Sequence, residues 1–225
     1  MQNPDLQKEK ELAAAEALKY VKNRMTIGLG TGSTAAVFVR LLAEKVRAEG
    51  WKIRCVATSR AAAKLAKGLG LKVIEFNTAE KVDVAVDGAD EIDPKGNLTK
   101  GHGGALTREK LIDYRAEKFI VLGDSSKLKE HLGTTFIPVE VMPFCWKWVE
   151  RELEKIGGNA ERRKGFKTDN GNYIIDWHAG AINNPEKIEA EIGLIPGVLE
   201  TGLFTKNRHM AIIGTENEVK TLKFT

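Results

Sequence analysis

From residue 25 to residue 122 short apolar runs alternate with longer stretches whose apolar residues recur at helical spacing. That alternation constrains the fold more than any other feature of the chain. Runs at 25–29, 53–57, 73–76, 82–86 and 119–122 have the length of strands. Between them, Phe38, Leu41, Leu42 and Val46 form the inner stripe of one helix, while Thr58-Ser59 stands where a cap would open another that runs to Lys67. Gly68 and Gly70 close that second helix. A further helix precedes them over 5–21, with Pro4 at its first turn and Ala14, Ala17, Leu18 and Val21 on one side. Strand and helix in regular succession imply a parallel sheet covered on both faces.

The expected architecture is therefore α/β, a Rossmann-like parallel sheet covered by helices. The pattern changes after about residue 133. Strands at 136–141, 160–163, 173–176 and 198–204 and helices at 146–156 and 185–192 follow in the order β-α-β-β-α-β. That order predicts a second, smaller ferredoxin-like α+β domain. Asp169-Asn170-Gly171 marks the hairpin inside it. The apolar run 210–213 is expected to return to the larger sheet, giving residues 1–133 and 206–225 as the larger domain and 134–205 as the smaller.

Composition narrows the classes of function. Of 225 residues, 42% are apolar and 29% charged, the profile of a soluble globular chain. No run is long enough to span a membrane, and the polar, acid-containing start at 1–9 does not read as a signal peptide. A net charge of +4, dispersed along the chain, gives no footing for nucleic-acid binding. Cys55 and Cys145 lie in apolar surroundings without metal-ligand spacing, and read as reduced, buried residues of a cytoplasmic protein.

The chemistry-bearing residues gather where strands end. Asp87-Gly88-Ala89-Asp90-Glu91-Ile92-Asp93 follows the 82–86 run, and the carboxyl edge of such a sheet is where ligands bind. An acid directly after a buried strand needs a partner, and Lys100 is the candidate for Asp87. Glu91 and Asp93 read instead as a solvated acidic turn, and the spacing of the acids does not fit a calcium loop. Lys100-Gly101-His102-Gly103-Gly104 is a glycine-rich turn with backbone amides suited to an oxyanion, and Glu109 stands near the start of the helix that follows. A glutamate there is either an ordinary helix carboxylate or a base placed to move a proton between adjacent carbons. Gly30-Thr31-Gly32-Ser33-Thr34 is an anion-binding turn or merely a tight one; Ser33 occupies the third-glycine position of a dinucleotide fingerprint, and no acid ends the next strand. Lys127, after Gly123-Asp124-Ser125-Ser126, is on the same edge. His102 reads as a loop side chain without a recognisable partner, His131, His178 and His209 show no ligand spacing, and Trp146 and Trp148 read as core or interface.

Taken together these segments resemble ribose-5-phosphate isomerase, type A. The likeness covers essentially the whole chain, including Val139-Glu140-Val141, Thr168-Asp169-Asn170-Gly171-Asn172, Ile195-Pro196-Gly197-Val198 and Ile213-Gly214-Thr215. It implies an aldose–ketose isomerase that interconverts ribose 5-phosphate and ribulose 5-phosphate in the non-oxidative pentose phosphate pathway. It also implies no metal and no organic cofactor, and a homo-oligomer, usually a dimer. In this likeness Glu109 takes the place of the catalytic base, with Asp87 and Lys100 assisting. Substrate contacts fall to Thr31, Gly32, Ser33 and Thr34, to Asp87, Gly88, Ala89 and Asp90, to Lys100, Gly101, His102 and Gly103, and to Lys127. His102 stands where many members have glycine, and Gly104 where some have alanine. Two rival readings remain on the same sheet: a nicotinamide dehydrogenase, and a non-catalytic sugar-phosphate sensor, which would have no use for Glu109.

Overall fold

The computed structural model describes residues 4–206, 209–216 and 218–224. In chain order the first half holds α1 (Pro4–Ala17), β1 (Thr26–Leu29), α2 (Ser33–Glu49), β2 (Arg54–Ala57), α3 (Arg60–Gly68), β3 (Val82–Gly88), β4 (Glu91–Ile92), β5 (Leu98–Thr99), α4 (Leu106–Arg115) and β6 (Ala116–Asp124). The second half holds β7 (Ile137–Val141), α5 (Trp146–Ile156), β8 (Asn159–Arg162), β9 (Tyr173–His178), α6 (Pro185–Gly193), β10 (Val198–Thr201), β11 (Leu203–Phe204), β12 (His209–Gly214) and β13 (Val219–Lys223).

These elements form two compact units. The first comprises Met1–Gly88, Arg108–Lys127 and Arg208–Thr225. Its six-stranded sheet has the order β13-β12-β6-β3-β1-β2 and is parallel except for the β13 edge. β1 stands between β2 and β3, so the chain reverses its direction of winding there. Such a switch point opens a crevice at the carboxyl ends of β1 and β3. Strand alternation assigns the two faces. Ile27, Leu29, Val84, Val86, Ile120 and Leu122 pack with Ala13, Ala14 and Ala17 of α1 and Phe38 and Leu42 of α2. On the other face α4 lies so close over β1 that a Cβ on Gly28 would meet Ile112 Cγ2 at 2.7 Å.

The helix expected over 5–21 ends as α1 at Ala17 and tightens into a 3-10 turn, Leu18–Tyr20. Ser59 caps α3 as expected, accepting from the Ala62 N–H. No strand forms over 73–76. Val73 makes a single parallel bridge to Cys55, and the chain then coils into the 3-10 turn Phe76–Thr78, leaving β2 at the edge. β12 returns to the large sheet beside β6, and β13 closes it as an antiparallel hairpin that the sequence reading lacked. Cys55 is buried, and burial pushes its thiol up to about 12, whereas Cys145 is only half-buried, contrary to expectation.

The second unit comprises Ala89–Thr107 and Leu128–Asn207. It contains the four-stranded antiparallel sheet β10-β7-β9-β8, with α5 and α6 in the βαββαβ sequence of a ferredoxin-like fold. Val139, Val141, Val149, Leu153, Ile175 and Trp177 are at its core. The expected strand over 198–204 is divided at Gly202: β10 pairs with β7, while β11 pairs with β5 in a separate three-stranded sheet, β11-β5-β4.

That small sheet explains why the division differs from the one expected at residue 133. Lys129 N–H donates to the Ile92 carbonyl, Leu128 bridges Ile92, and β5 pairs with β11, so 89–107 and 128–133 belong with the second unit. Glu91 is the tie. Expected to be solvated, it is fully buried and accepts from Thr99 Oγ1 at 2.9 Å, Gly133 N at 2.8 Å, Thr135 N at 3.1 Å and the Thr134 hydroxyl. Burial pushes this carboxyl up, but the four donors outweigh it and hold the group below its ordinary value of 4.5. Asp93 is also mostly buried, folded back on Lys95 N, Asn97 N and Asn97 Nδ2 in a tight turn.

A carboxyl depressed in the folded state contributes stability that is complete above its unfolded value and disappears as pH falls through the folded one. Glu91→Gln places an amide NH₂ among four donors, and we predict a loss of about 2 kcal/mol or more at neutral pH. In urea unfolding series, the gap between parent and variant should narrow once pH drops below 4.5. A pH-independent gap would contradict this account.

Candidate active site

In the first unit the site is built at the switch point. β1 leads into Gly30, whose N–H donates to the Val86 carbonyl at 2.9 Å. A Cβ at Gly30 would lie 2.0 Å from Asp87 Oδ1 and 2.5 Å from Asp87 Cα, so only glycine lets β1 and β3 end side by side. Asp87, fully buried at the end of β3, accepts the Thr31 N–H at 3.0 Å and the Gly88 N–H at 2.7 Å through Oδ1. Gly32, at φ 110°, turns the chain so that Ser33 begins α2. The orphan amides and positive dipole end of a 17-residue helix thus open at this turn.

Thr31 does not present a loose hydroxyl. Its Oγ1 lies 2.7 Å from Thr58 Oγ1 and donates to Ser59 Oγ at 2.8 Å, tying the turn to the start of α3. Gly32 and Ser33 are exposed, and Thr34 is buried on the first turn of α2. Lys127 is half-buried in the 3-10 turn Ser125–Lys127 that follows β6. α1 clamps both loops: Glu9 Oε2 accepts from Ser125 N and Oγ, each at 2.9 Å, while Lys10 Nζ donates to Ser33 Oγ at 3.3 Å. Lys10 was missed in the sequence reading. It lies 23 residues from Ser33, on a helix with no motif of its own, and only the fold brings the pair together.

Glu109 occupies the first turn of α4 and is 4% exposed, so its carboxylate is not turned to bulk water. It precedes Ile112 by one helical turn, which puts both on the same side of α4.

In the second unit Lys100 is 2% exposed. Its N–H donates to Gly202 O at 2.8 Å, and its ammonium lies 5.5 Å from the Phe204 ring centroid, a cation–π distance. The turn after it is tightly packed: Gly101 has φ 95° and a Cβ there would meet Leu106 Cβ at 2.7 Å, while one on Gly104 would strike the Phe166 ring at 2.2 Å. Asp90 braces this turn by accepting the His102 N–H on Oδ2 at 3.0 Å.

His102, read from sequence as a loop side chain without a partner, has several. Its Nε2 is 3.0 Å from the Phe136 carbonyl, its Nδ1 is 3.4 Å from Asp90 Oδ1, and its ring stacks on Phe136 at 4.2 Å. The signal was absent because Phe136 is distant in sequence and offers only a backbone oxygen and a ring face. Gly103 is exposed, whereas Gly101 is buried beneath the turn. The structure thus divides the expected residues between the units. Thr31 to Thr34, Asp87, Gly88, Glu109 and Lys127 belong to the first, and Ala89, Asp90 and Lys100 to Gly103 to the second. Trp146 packs on the second unit's core and Trp148 is exposed. Among the described residues no three His, Cys, Asp or Glu side chains gather as metal ligands.

Comparison with known proteins agrees across the chain. Residues 54–218 match the family Ribose 5-phosphate isomerase A (phosphoriboisomerase A). The chain is 42% identical to ribose-5-phosphate isomerase A of Thermococcus kodakarensis, covering 97% of this chain and 99% of that protein. It is 44% identical to the Pyrococcus horikoshii protein of that name, with the same coverages. The solved ribose 5-phosphate isomerase A of Methanocaldococcus jannaschii superposes with a TM-score of 0.93 at 44% identity, covering 96% of this chain and 99% of that one. A D-ribose-5-phosphate isomerase in complex with phospho-erythronic acid gives 0.94 at 44% identity, over 97% of this chain and 99% of that one. The architecture, the glycine turns at the ends of β1 and β5, and these full-length likenesses lead to one conclusion: the chain belongs to the ribose-5-phosphate isomerase A family.

Proposed function

We propose that the chain interconverts ribose 5-phosphate and ribulose 5-phosphate, a step of the non-oxidative pentose phosphate pathway, by proton transfer through a cis-enediolate. Asp87 shuttles the hydroxyl proton as the sugar ring opens. Glu109 takes the proton from C2, and the electron pair left behind forms the C1–C2 double bond as negative charge moves to the C1 oxygen. Lys100 and the amides of the 101–104 turn stabilise that charge, because fixed donors need no reorganisation as it develops. Glu109 returns its proton to C1, while the C2 hydroxyl gives its proton to the negatively charged C1 oxygen and becomes the ketone. Asp90 orients sugar hydroxyls and holds the glycine turn. The phosphate goes to the α2 N-terminus with Ser33, Thr34, Lys10 and Lys127.

The observation that carries this reading is a carboxylate, Glu109, withdrawn from bulk water on a helix that rests over the switch point. Ile112, one turn after it, touches Gly28 of β1, whose neighbour β3 ends in Asp87. The relative solved with phospho-erythronic acid adds support, since a carboxylate next to hydroxylated carbons mimics a planar enediolate. A sensor domain needs the anion site but not the base. Glu109→Gln keeps the shape and removes the base. We expect kcat to fall by at least ~10²–10⁴-fold with binding of phospho-erythronic acid retained, assayed with EDTA present. Near-parental turnover would refute the role of Glu109, and an inactive parent that still binds the acid would favour the sensor.

We further infer a homo-oligomer, dimeric at least, acting in the cytoplasm; no described helix is long and apolar enough to cross a membrane. Support comes from the second unit, where Phe144 is 93% exposed and Leu194 83%, with Met142, Trp148 and Leu199 also exposed. Met142 N–H donates to Gly197 O, so the segments that carry these residues run beside each other, and exposed apolar side chains in one neighbourhood mark an interaction surface. Light scattering should give a multiple of the 24.8 kDa chain mass. Phe144→Asp with Leu194→Asp should lower that multiple while leaving the melting temperature of the fold near parental. An unchanged mass in the double variant would place the contact elsewhere.

A further inference from the structure

Two stretches that the resemblance singled out, Val139-Glu140-Val141 and Thr168-Asp169-Asn170-Gly171-Asn172, have no part in the chemistry above. They meet each other at one buried carboxylate. Glu140, next to last in β7, is fully buried. Its Oε1 accepts from Thr168 Oγ1 at 2.7 Å, Asn172 Nδ2 at 2.9 Å and Asn170 Nδ2 at 3.1 Å, all from the connection between β8 and β9. Its Oε2 accepts from a different element: Thr107 Oγ1, in the first turn of α4, at 2.6 Å. A buried carboxylate depends on such donors, so the four bonds fix the helix start and the connection to one point.

The same connection holds the preceding glycine turn. The Phe166 ring fills the space at Gly104, where a Cβ would come within 2.2 Å of it. Arg163 donates through Nη1 to the His102 carbonyl at 2.9 Å while its Nε and Nη2 hold Asp176. The connection is rigid in itself, since Asn170 N and Asn172 N both donate to Thr168 Oγ1, and Thr168 N donates to Asn172 O.

We infer that Glu140, acting through the Thr107 hydroxyl, is a positioning residue for the first turn of α4, and that the β8–β9 connection is a brace for the glycine turn and helix start together. The inference rests on the reading of Glu109 as the base, which follows Thr107 on that same turn. Holding a helix by its first turn sets the direction in which a carboxylate two residues on is aimed. Misplacement of a reacting group by about 1 Å costs up to ~10²-fold in rate.

Thr107→Val isolates this link, because it removes one donor and leaves Glu140 its other three. We expect kcat for ribose 5-phosphate to fall about tenfold with KM within about twofold of the parent, and Thr107→Ser to restore the rate. Thermal unfolding run alongside should move little for both variants. Parental kcat in Thr107→Val, or a loss that Thr107→Ser does not restore, overturns the inference. Glu109→Gln in the same series separates the two readings. If that variant keeps turning over, the base assignment fails. If it is inactive and Thr107→Val is normal, only the positioning role fails.

Discussion

Where β3 ends against the turn after β1, a buried carboxylate oxygen joins the strand ladder in holding the two together. Asp87 Oδ1 accepts two backbone amides, one from the turn after β1 and one from its own strand end. The missing Cβ of Gly30 provides the room for it. Everything at the switch point depends on that close approach. It sets the path of Gly30 to Gly32, and hence where the amides of α2 open, and it fixes a buried acid beside them. The cost of burying the charge is offset by hydrogen bonds to it, which are stronger than those between neutral groups.

Much of this was legible in the chain. Parallel strands buried on both faces read as apolar runs, and glycine punctuates where strand gives way to helix, so β1, β2, β3 and β6 and the helices between them were foreseen within a few residues. The βαββαβ order of the second unit was equally plain, because α5 carries Val149 and Leu153 at helical spacing and Asn170-Gly171 marks the hairpin. What escaped were elements too short to show a period. β4, β5 and β11 are each two residues long, and their pairing is set by partners far away in sequence. For the same reason the division between the units differs from the one expected: nothing local announces that Ile92 holds 128–129 and Glu91 holds 133–135. The run over 73–76 failed differently, since apolar content alone does not make a strand without a neighbour to complete the ladder.

The places of the candidate residues at strand ends were legible, but their partners were not. An acid in a run with glycine and proline resembles a solvated turn, as Glu91 did, yet Glu91 is completely buried under four donors, and so is Glu140 within its strand. Those donors are threonine hydroxyls, asparagine amides and main-chain amides, groups common in any surface loop and therefore without a signature. The sequence shows charge, whereas the fold supplies the donors that make a buried charge tolerable. Lys10 and His102 illustrate the same limit, one reaching Ser33 from a different helix, the other meeting a carbonyl and a phenyl face.

The glycine turn after β1 also separates this chain from the dinucleotide enzymes whose sheet it shares. There, glycine allows a pyrophosphate to approach the backbone, and an acid at the end of the second strand takes the ribose. Here β2 ends in Ala57, and the space a Cβ would fill at Gly30 holds a side chain of the protein itself. The glycine has been committed to admitting Asp87 rather than a cofactor. One substitution pattern at a switch point therefore changes what fills the crevice: with the acid built in, a buried carboxylate stands beside the opening amides of α2 where a cofactor's pyrophosphate would otherwise approach.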